Sequence, residues 1–361
     1  MTSVTLEHVT KKFVPAHANE APVTAVRDLN MKITSGDVLA ILGPSGCGKS
    51  TLLRMIAGTM PPDSGRVLYD DQNLADIPLR ERGIGMVFQE GALIPHWEAE
   101  TNIGFFFSLR KREAEVPQRL KQISKITGIG LDELLNRRPR QLSGGERQRV
   151  GIARALARDL NVLLLDEPFA SLDAKYRAEA RVELKRLLNA FPVTSVYVTH
   201  DQVEAIALAH RIAVMRDGQM EQIGTYTNLY NQPQNLFVAT FIGTPMINLF
   251  KGRVENGRWQ GENFGDLPVR RDLAEHTPLI AGIRAEHIQT LGGEEGTEAV
   301  VDTVVPYLSE RHQLVTLTRG REQWTLIVPL NEPIHAGSML RCGFKPEEVL
   351  FFDAKTGVRV G

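Results

Sequence analysis

Apolar positions change their rhythm once along this chain. Up to about residue 240, short continuous apolar runs alternate with stretches in which apolar residues recur every three or four positions. Val38-Leu39-Ala40-Ile41-Leu42, Val162-Leu163-Leu164-Leu165 and Ser195-Val196-Tyr197-Val198-Thr199 are the clearest runs. Such runs lack polar alternation and predict strands of a parallel sheet covered on both faces. Residues 52–57, 178–188 and 202–209 carry helical spacing. Asp217-Gly218, set between Ala213-Val214-Met215 and Met220-Glu221-Gln222-Ile223, reads as a hairpin turn. The first eight residues alternate like a strand. The order of elements predicts an α/β domain. From about Thr244 onward helices nearly vanish. Ile280-Ala281-Gly282-Ile283-Arg284, Leu314-Val315-Thr316-Leu317-Thr318 and Trp324-Thr325-Leu326-Ile327-Val328 read as short strands, separated by turns such as Leu291-Gly292-Gly293 and Arg319-Gly320. That texture predicts a small β-barrel or sandwich. The expected division is 1–240 and 241–361, with a seam near residues 242–248.

Composition narrows the picture. At 361 residues the chain has room for two or three domains, and 42% hydrophobic residues can fill a sizeable core. Lys+Arg 42 against Asp+Glu 43 leaves a net charge of −1, so no global basic field argues for nucleic acid. Two cysteines, Cys47 and Cys342, make no disulfide framework and read as free thiols of a reducing compartment. No secretory signal is visible, and no apolar stretch approaches the length of a bilayer span. The greasiest short piece, Phe105-Phe106-Phe107, is bounded by Gly104 and Ser108. The chain is expected to be soluble by itself, with any membrane role coming through a partner.

Candidate chemistry begins where the first apolar run ends. Gly43-Pro44-Ser45-Gly46-Cys47-Gly48-Lys49-Ser50-Thr51 meets the G-x-x-x-x-G-K-[ST] spacing in full, with a strand before it and a helical pattern after it. The glycines let backbone N–H groups turn inward around phosphate oxygens, and the helix start adds its positive dipole end. Lys49 is placed for the β/γ-phosphates and the Ser50 hydroxyl for Mg²⁺. The third run ends in Asp166-Glu167-Pro168, two adjacent carboxylates at a strand end. Asp166 is the candidate Mg²⁺ ligand. Glu167, carried by the turn at Pro168, is the candidate general base toward an attacking water. Leu142-Ser143-Gly144-Gly145-Glu146 precedes a helix; its hydroxyl, two glycine N–H groups and helix start form a second anion site.

Leu-Ser-Gly-Gly ahead of a helix, lying between a Walker A loop and a Walker B strand, resembles the signature of ATP-binding cassette (ABC) proteins. The resemblance implies a P-loop NTPase cassette, with a RecA-like core, a β subdomain and a helical subdomain at about 90–160, binding ATP and Mg²⁺. It also implies that Ser143, Gly144 and Gly145 meet the γ-phosphate of an ATP held by a second copy, so that two sites are shared head-to-tail. Phe13 resembles the aromatic that stacks on adenine, where Tyr is commoner; a core phenylalanine of the first strand stays the alternative. Gln89 resembles the Q-loop glutamine that touches Mg²⁺ and water. His200, in Tyr197-Val198-Thr199-His200-Asp201, resembles the switch histidine beside the γ-phosphate. Asp173, in Ser171-Leu172-Asp173, matches the loop that crosses to the partner, and Arg137 is a weaker match to a contact with the opposite adenosine. Glu146 departs from the usual Gln, which puts its contact to ribose in doubt. Ala92, Leu93, Pro95, His96 and Trp97 resemble the stretch that docks onto a membrane permease; core packing under the Q-loop is the alternative.

The tail is similar to that of the sugar-importer subfamily, the maltose and glycerol-phosphate type. Phe241-Ile242-Gly243-Thr244-Pro245-Met246-Ile247-Asn248-Leu249-Phe250 resembles its domain junction. Gly282-Ile283-Arg284-Ala285-Glu286-His287 resembles its Gly-Ile-Arg-Pro-Glu strand, with Ala285 for proline. Residues 344–353 resemble its closing strand. The resemblance implies an OB-like regulatory domain that helps hold a homodimer, two transmembrane permease subunits, an extracytoplasmic solute-binding protein, and a place on the cytoplasmic face of the inner membrane, with no nucleic acid. Importers of polyamine, iron or oxyanions share these features, and a soluble ABC regulator without a permease is the reading from another class. Cys47 sits at a helix N-terminus, which favours the thiolate. A bulky maleimide on it is expected to abolish nucleotide binding, which a binding assay on fully labelled protein checks.

Overall fold

The structure is a computed structural model that describes residues 2–14, 22–88, 93–127, 130–170, 172–269, 273–292 and 296–360. The chain divides into two compact units, Met1–Tyr226 and Thr227–Gly361. In chain order the first contains β1 (Val4–Phe13), β2 (Val23–Ile33), β3 (Val38–Leu42), α1 (Lys49–Ile56), β4 (Ser64–Tyr69), β5 (Gln72–Asn73) and β6 (Ile84–Val87). There follow α2 (Ala99–Leu109), α3 (Val116–Thr127), α4 (Gly144–Leu156), β7 (Val162–Asp166), α5 (Ala174–Ala190), β8 (Thr194–Thr199), α6 (Gln202–Leu208), β9 (Arg211–Arg216) and β10 (Gln219–Gly224).

Two sheets result. β2-β1-β4-β5 is antiparallel, while β10-β9-β3-β8-β7-β6 is parallel except for β10. β3 and β8 are buried at every position, as uninterrupted apolar runs require of strands covered on both faces. One core joins both sheets through α1: Leu6, Val26 and Ile33 share it with Leu52, Leu53 and Ile56 of the helix and with Leu164 and Val198. The β9–β10 hairpin turns at Asp217 (φ 49°) and Gly218 (φ 79°), the two left-handed residues that its aspartate–glycine pair predicts. The helices α2, α3 and α4 lie in the chain between β6 and β7.

The second unit opens within α7 (Tyr226–Asn231), continues with α8 (Leu236–Phe241), and among the described residues is otherwise built of β-strands and short 3-10 turns. Its strands are β11 (Asn248–Glu255), β12 (Arg258–Gly261), β13 (Asp266–Pro268), β14 (Pro278–Ile283), β15 (Ile288–Thr290), β16 (Thr297–Tyr307), β17 (His312–Arg319), β18 (Glu322–Pro329), β19 (Met339–Phe344), β20 (Leu350–Asp353) and β21 (Arg359–Val360). They form two antiparallel sheets, β13-β12-β11-β14-β20-β21 and β15-β19-β16-β17-β18. A shared core fills the space between them, with Phe250, Trp259 and Phe264 meeting Leu317, Trp324 and Cys342.

The division falls at Tyr226, ahead of the seam read near 242–248. The cause is local bonding that pattern alone does not reveal. Leu236 N–H donates to Gly357 O at 2.7 Å and Arg359 N–H to Gln234 O at 3.0 Å, so the chain end holds this segment. Arg284, 3% exposed, donates to the carbonyls of Ala239, Ile242 and Tyr230 at 3.0, 2.7 and 3.0 Å. Its guanidinium also lies 3.9 Å from the centroid of the Tyr230 ring. One cation thereby caps the C-terminal carbonyls of α8. Arg284→Ala would strip these carbonyls of their donor and is expected to cost the second unit about 3 kcal/mol or more. Urea unfolding followed by the emission of Trp259 and Trp324, in a Trp97→Phe background, measures it.

Candidate nucleotide site

The phosphate loop is squeezed between two backbones. A Cβ on Gly43 would lie 2.2 Å from the carbonyl oxygen of Met215 on β9, and one on Gly48 (φ 106°) would lie 2.1 Å from that of Ala25 on β2. Only glycine fits either place. The hairpin turn locks the arrangement, because Gly218 N–H donates to Cys47 O at 3.0 Å and Arg27 N–H donates to Gly218 O at 2.9 Å. Pro44, Ser45 and Gly46 arch outward and are exposed, while Ser50 and Thr51 are half-buried at the start of α1. Lys49 is only 5% exposed, and its ammonium donates to Gly43 O at 2.8 Å and Pro44 O at 2.9 Å. The loop's own carbonyls hold the cation at its mouth, where an anion with stronger acceptors can take it over.

Ser50 and Asp166 meet at the strand end: the Ser50 hydroxyl donates to Asp166 Oδ1 at 3.1 Å. Burial, foremost, holds the Asp166 carboxyl above its ordinary range; the charge of Glu167 adds to this and the Ser50 hydrogen bond opposes it. A hydroxyl and a carboxylate at the foot of a phosphate cradle are hard oxygen donors that fit Mg²⁺. Glu167 stands next, with φ 42°. This left-handed backbone costs a residue with a side chain about 1–2 kcal/mol. It turns Glu167 out of the alternation of β7, and Glu167 Oε2 comes to 3.0 Å from Nδ1 of His200 at the end of β8. The structure thus brings together Lys49, Gly43 and Pro44, then Ser50 and Asp166, then Glu167 and His200.

The signature forms a second cluster. Ser143 is exposed and caps α4: its Oγ accepts from Glu146 N–H at 3.3 Å, and Glu146 Oε2 accepts from Ser143 N–H at 2.7 Å. This reciprocal capping box explains how a glutamate serves at this position. The Ser143 backbone N–H, foremost, holds the Glu146 carboxyl below its ordinary range. Arg137 joins in, its Nη1 3.3 Å from Glu146 Oε1. Gly144 and Gly145 are half-buried in the first turn, and Asp173 is exposed as the N-cap of α5. Phe13 is 41% exposed at the end of β1, so it is no core phenylalanine. Gln89 and Ala92 lie outside the described residues.

Two buried polar residues were not singled out by the sequence reading. Asn102, fully buried in α2, accepts from Ile94 N–H at 2.8 Å and donates to the carbonyls of Ile94, Trp97 and Glu98. It shapes the segment with half-buried Leu93 and Trp97 and exposed Pro95 and His96, and Trp97 packs on Phe105 at 5.0 Å. The only hint is a lone amide in an apolar helical run. Glu204 is the other; an acid one turn into a helix reads as surface. A cavity of about 1340 Å³ lies apart from the phosphate loop, lined by Met86, Phe88, Phe106, Arg110, Arg154 and Arg158 among others. Arg110 and Arg158 both approach the Phe106 ring, at 4.2 and 4.9 Å.

Comparisons with known proteins identify the family. The profile of the ABC transporter family matches residues 26–170. The xylose/arabinose import ATP-binding protein XacK of Haloferax volcanii is 38% identical, over 99% of this chain and 95% of its own length. The sn-glycerol-3-phosphate import ATP-binding protein UgpC of Escherichia coli is 39% identical, over the whole of both chains. Among solved structures, the dimeric post-hydrolysis state of the ATP-binding cassette MJ0796 with ADP and phosphate is 32% identical, with a TM-score of 0.53, covering 62% of this chain and 98% of that one. The chain belongs to the ABC transporter family and is an ATPase, converting ATP and water to ADP and phosphate.

Cys47 corrects the expectation of a thiolate. It is 5% exposed in the core beneath the loop, and burial, foremost, raises its thiol above the ordinary value, with Lys49 lowering it only in part. In a Cys342→Ala background, maleimide is expected to label native Cys47 more slowly than the unfolded chain, because burial both shields the thiol and disfavours its thiolate. Timed labelling with and without urea, read by mass spectrometry, checks it.

Proposed function

We propose that this chain is the motor subunit of an ABC importer, acting as a pair of copies beneath two membrane permease subunits on the cytoplasmic face of the inner membrane, and that its solute is a sugar or sugar derivative. The contact between Glu167 and His200 beside the Ser50–Asp166 pair carries the motor reading, because it gathers a base, its partner and two oxygen donors at one strand edge. The full-length likeness to XacK and UgpC supports the solute class. Among the described residues no helix is long and apolar enough to cross a membrane, so permeation is assigned to partners.

In this reading Lys49 and the N–H groups of residues 45–51 hold the phosphates, and Phe13 stacks on the base. Ser50 and Asp166, with Gln89, would hold Mg²⁺, which would supply charge neutralisation on the phosphate oxygens. Glu167 accepts the proton of the attacking water as the water adds to the γ-phosphorus and the bond from that phosphorus to the β,γ-bridging oxygen breaks, ADP leaving with the bond's electron pair; His200 keeps Glu167 and the γ-phosphate in register. Exposed Ser143, with Gly144 and Gly145, receives the γ-phosphate from the second copy; Arg137 and Asp173 act across the same face. An external solute-binding protein delivers the cargo. The apolar cleft around Phe106 and the neighbouring Leu93–Trp97 segment take a short cytoplasmic helix of the permease, and the arginines suit one that carries acidic residues.

Glu167→Gln is expected to bind ATP as the parent does while turnover falls by about 10²–10⁴, the usual share of a general base. Nucleotide binding and steady-state ATPase assays on the same preparation separate the two. Pull-down from detergent-solubilised membranes should recover a permease pair. In the reconstituted complex a sugar, rather than a polyamine, iron or an oxyanion, should stimulate ATPase. Recovery of no membrane protein would favour a soluble regulator.

A further inference from the structure

His200 is an exposed residue with a demanding position. Its side chain is 58% exposed, so packing does little to orient it, yet its Nδ1 lies 3.0 Å from Glu167. The backbone on either side must therefore set its place. Beneath that backbone sits Glu204 of α6, only 4% exposed. Its Oε2 accepts hydrogen bonds from the hydroxyls of Tyr197 and Thr199, each at 2.7 Å, and both donors are buried. A carboxylate at such depth is costly to hold unless bonded, and two hydroxyl donors to a charged acceptor meet that need.

The network continues upward. Thr199 Oγ1, while donating to Glu204, accepts from the N–H of Asp201 at 3.0 Å. Asp201 Oδ1 then accepts from Val203 N–H at 2.7 Å and from Glu204 N–H at 3.3 Å, closing the turn. The residues before and after His200 are both tied to one buried carboxylate. Glu167 hangs on the same strand end, because its N–H donates to Val198 O at 3.0 Å. Tyr197 also packs on Phe169 at 6.2 Å, two residues beyond Glu167. A chain of buried hydrogen bonds of this kind polarises its members and fixes one geometry.

We propose that Glu204 is the positioning residue of the His200–Glu167 pair, clamping the Thr199 hydroxyl so that the turn bearing His200 keeps its imidazole against Glu167. The inference rests on the roles given to His200 and Glu167 above. It assigns to the start of α6 a task in hydrolysis that does not require contact with the nucleotide.

Thr199→Val keeps the shape and removes the hydroxyl that links Glu204 to Asp201; Thr199→Ser keeps the link. In the full-length chain Thr199→Val is expected to lower kcat by about tenfold or more, as small misplacements of catalytic groups do, with KM for ATP changed by less than about twofold. Thr199→Ser is expected to restore turnover, and Glu204→Gln, which keeps an acceptor but loses the charge, to lower kcat in the same sense if Thr199→Val does not fold. In a His200→Ala background Thr199→Val should cause no further loss. In the nucleotide-free protein the imidazole resonance of His200, assigned by its absence in His200→Ala, should move with Thr199→Val, stay with Thr199→Ser, and leave that of His276 unmoved. An unmoved His200 resonance, or the same fall in kcat with and without His200, overturns the proposal. If His200→Ala alone keeps parental turnover, the role given to His200 fails first and the proposal falls with it. Loss in His200→Ala with none in Thr199→Val or Glu204→Gln refutes Glu204 alone.

Discussion

The nucleotide site depends on two backbones approaching the phosphate loop more closely than any side chain allows. Met215 on β9 belongs to the central sheet and Ala25 on β2 to the antiparallel sheet, and the loop runs between their carbonyls. Gly43 and Gly48 are the points of contact. This wedging gives the loop its shape before any ligand arrives, because the N–H groups cannot rotate away without separating the sheets. The hairpin at Gly218 completes the frame by bonding to Cys47 O on one side and Arg27 N on the other. Preorganised dipoles of this kind are what phosphate chemistry asks of a protein, since little else in the step requires covalent participation.

The parallel strands β3, β7 and β8 then bring together the groups proposed to act in hydrolysis. Each is a buried apolar run that ends in polar residues at the same edge: the phosphate loop after β3, Asp166-Glu167 after β7, His200 after β8. Parallel register makes those three ends neighbours, and ligands gather outside the carboxyl ends of such strands. The strain stored in the backbone of Glu167 is local, with φ 42° where β7 stops. It is held by Glu167 N–H on Val198 O and by the hydrogen-bonded floor that Glu204 provides. Strain at a reacting residue persists only when its surroundings over-determine it.

The signature shows how a substitution is absorbed. At the third position of α4, Glu146 takes up a capping role and finds Arg137, so its charge is answered within its own chain. Both partners are exposed enough for solvent to screen them, so their mutual stabilisation is on the order of 1 kcal/mol or less. What the pair does is orient the exposed Ser143 turn. Asn102 does the same for the segment before α2, where its amide meets the N–H and carbonyl of Ile94 and the carbonyls of Trp97 and Glu98.

Much was legible in the residues alone. The glycine–lysine spacing, the acid pair after a buried run and the Leu-Ser-Gly-Gly turn specify local conformations, and local conformation follows from which φ values, caps and apolar periods a short segment permits. The strand and helix order, the aspartate–glycine hairpin and the two textures of the chain were readable for the same reason. Only the tertiary structure decided what depends on contacts between distant segments. Burial beneath the loop raised the Cys47 thiol against the pull of the helix start, because desolvation depends on what covers a group and not on its neighbours in sequence. The first division of the chain moved to Tyr226 because residues 234–242 bond to Arg284 and to the last strand. Glu204 and Asn102 look like ordinary surface polars in a linear reading; folding covers them with other segments and makes each the acceptor or donor that several groups nearby in the chain share.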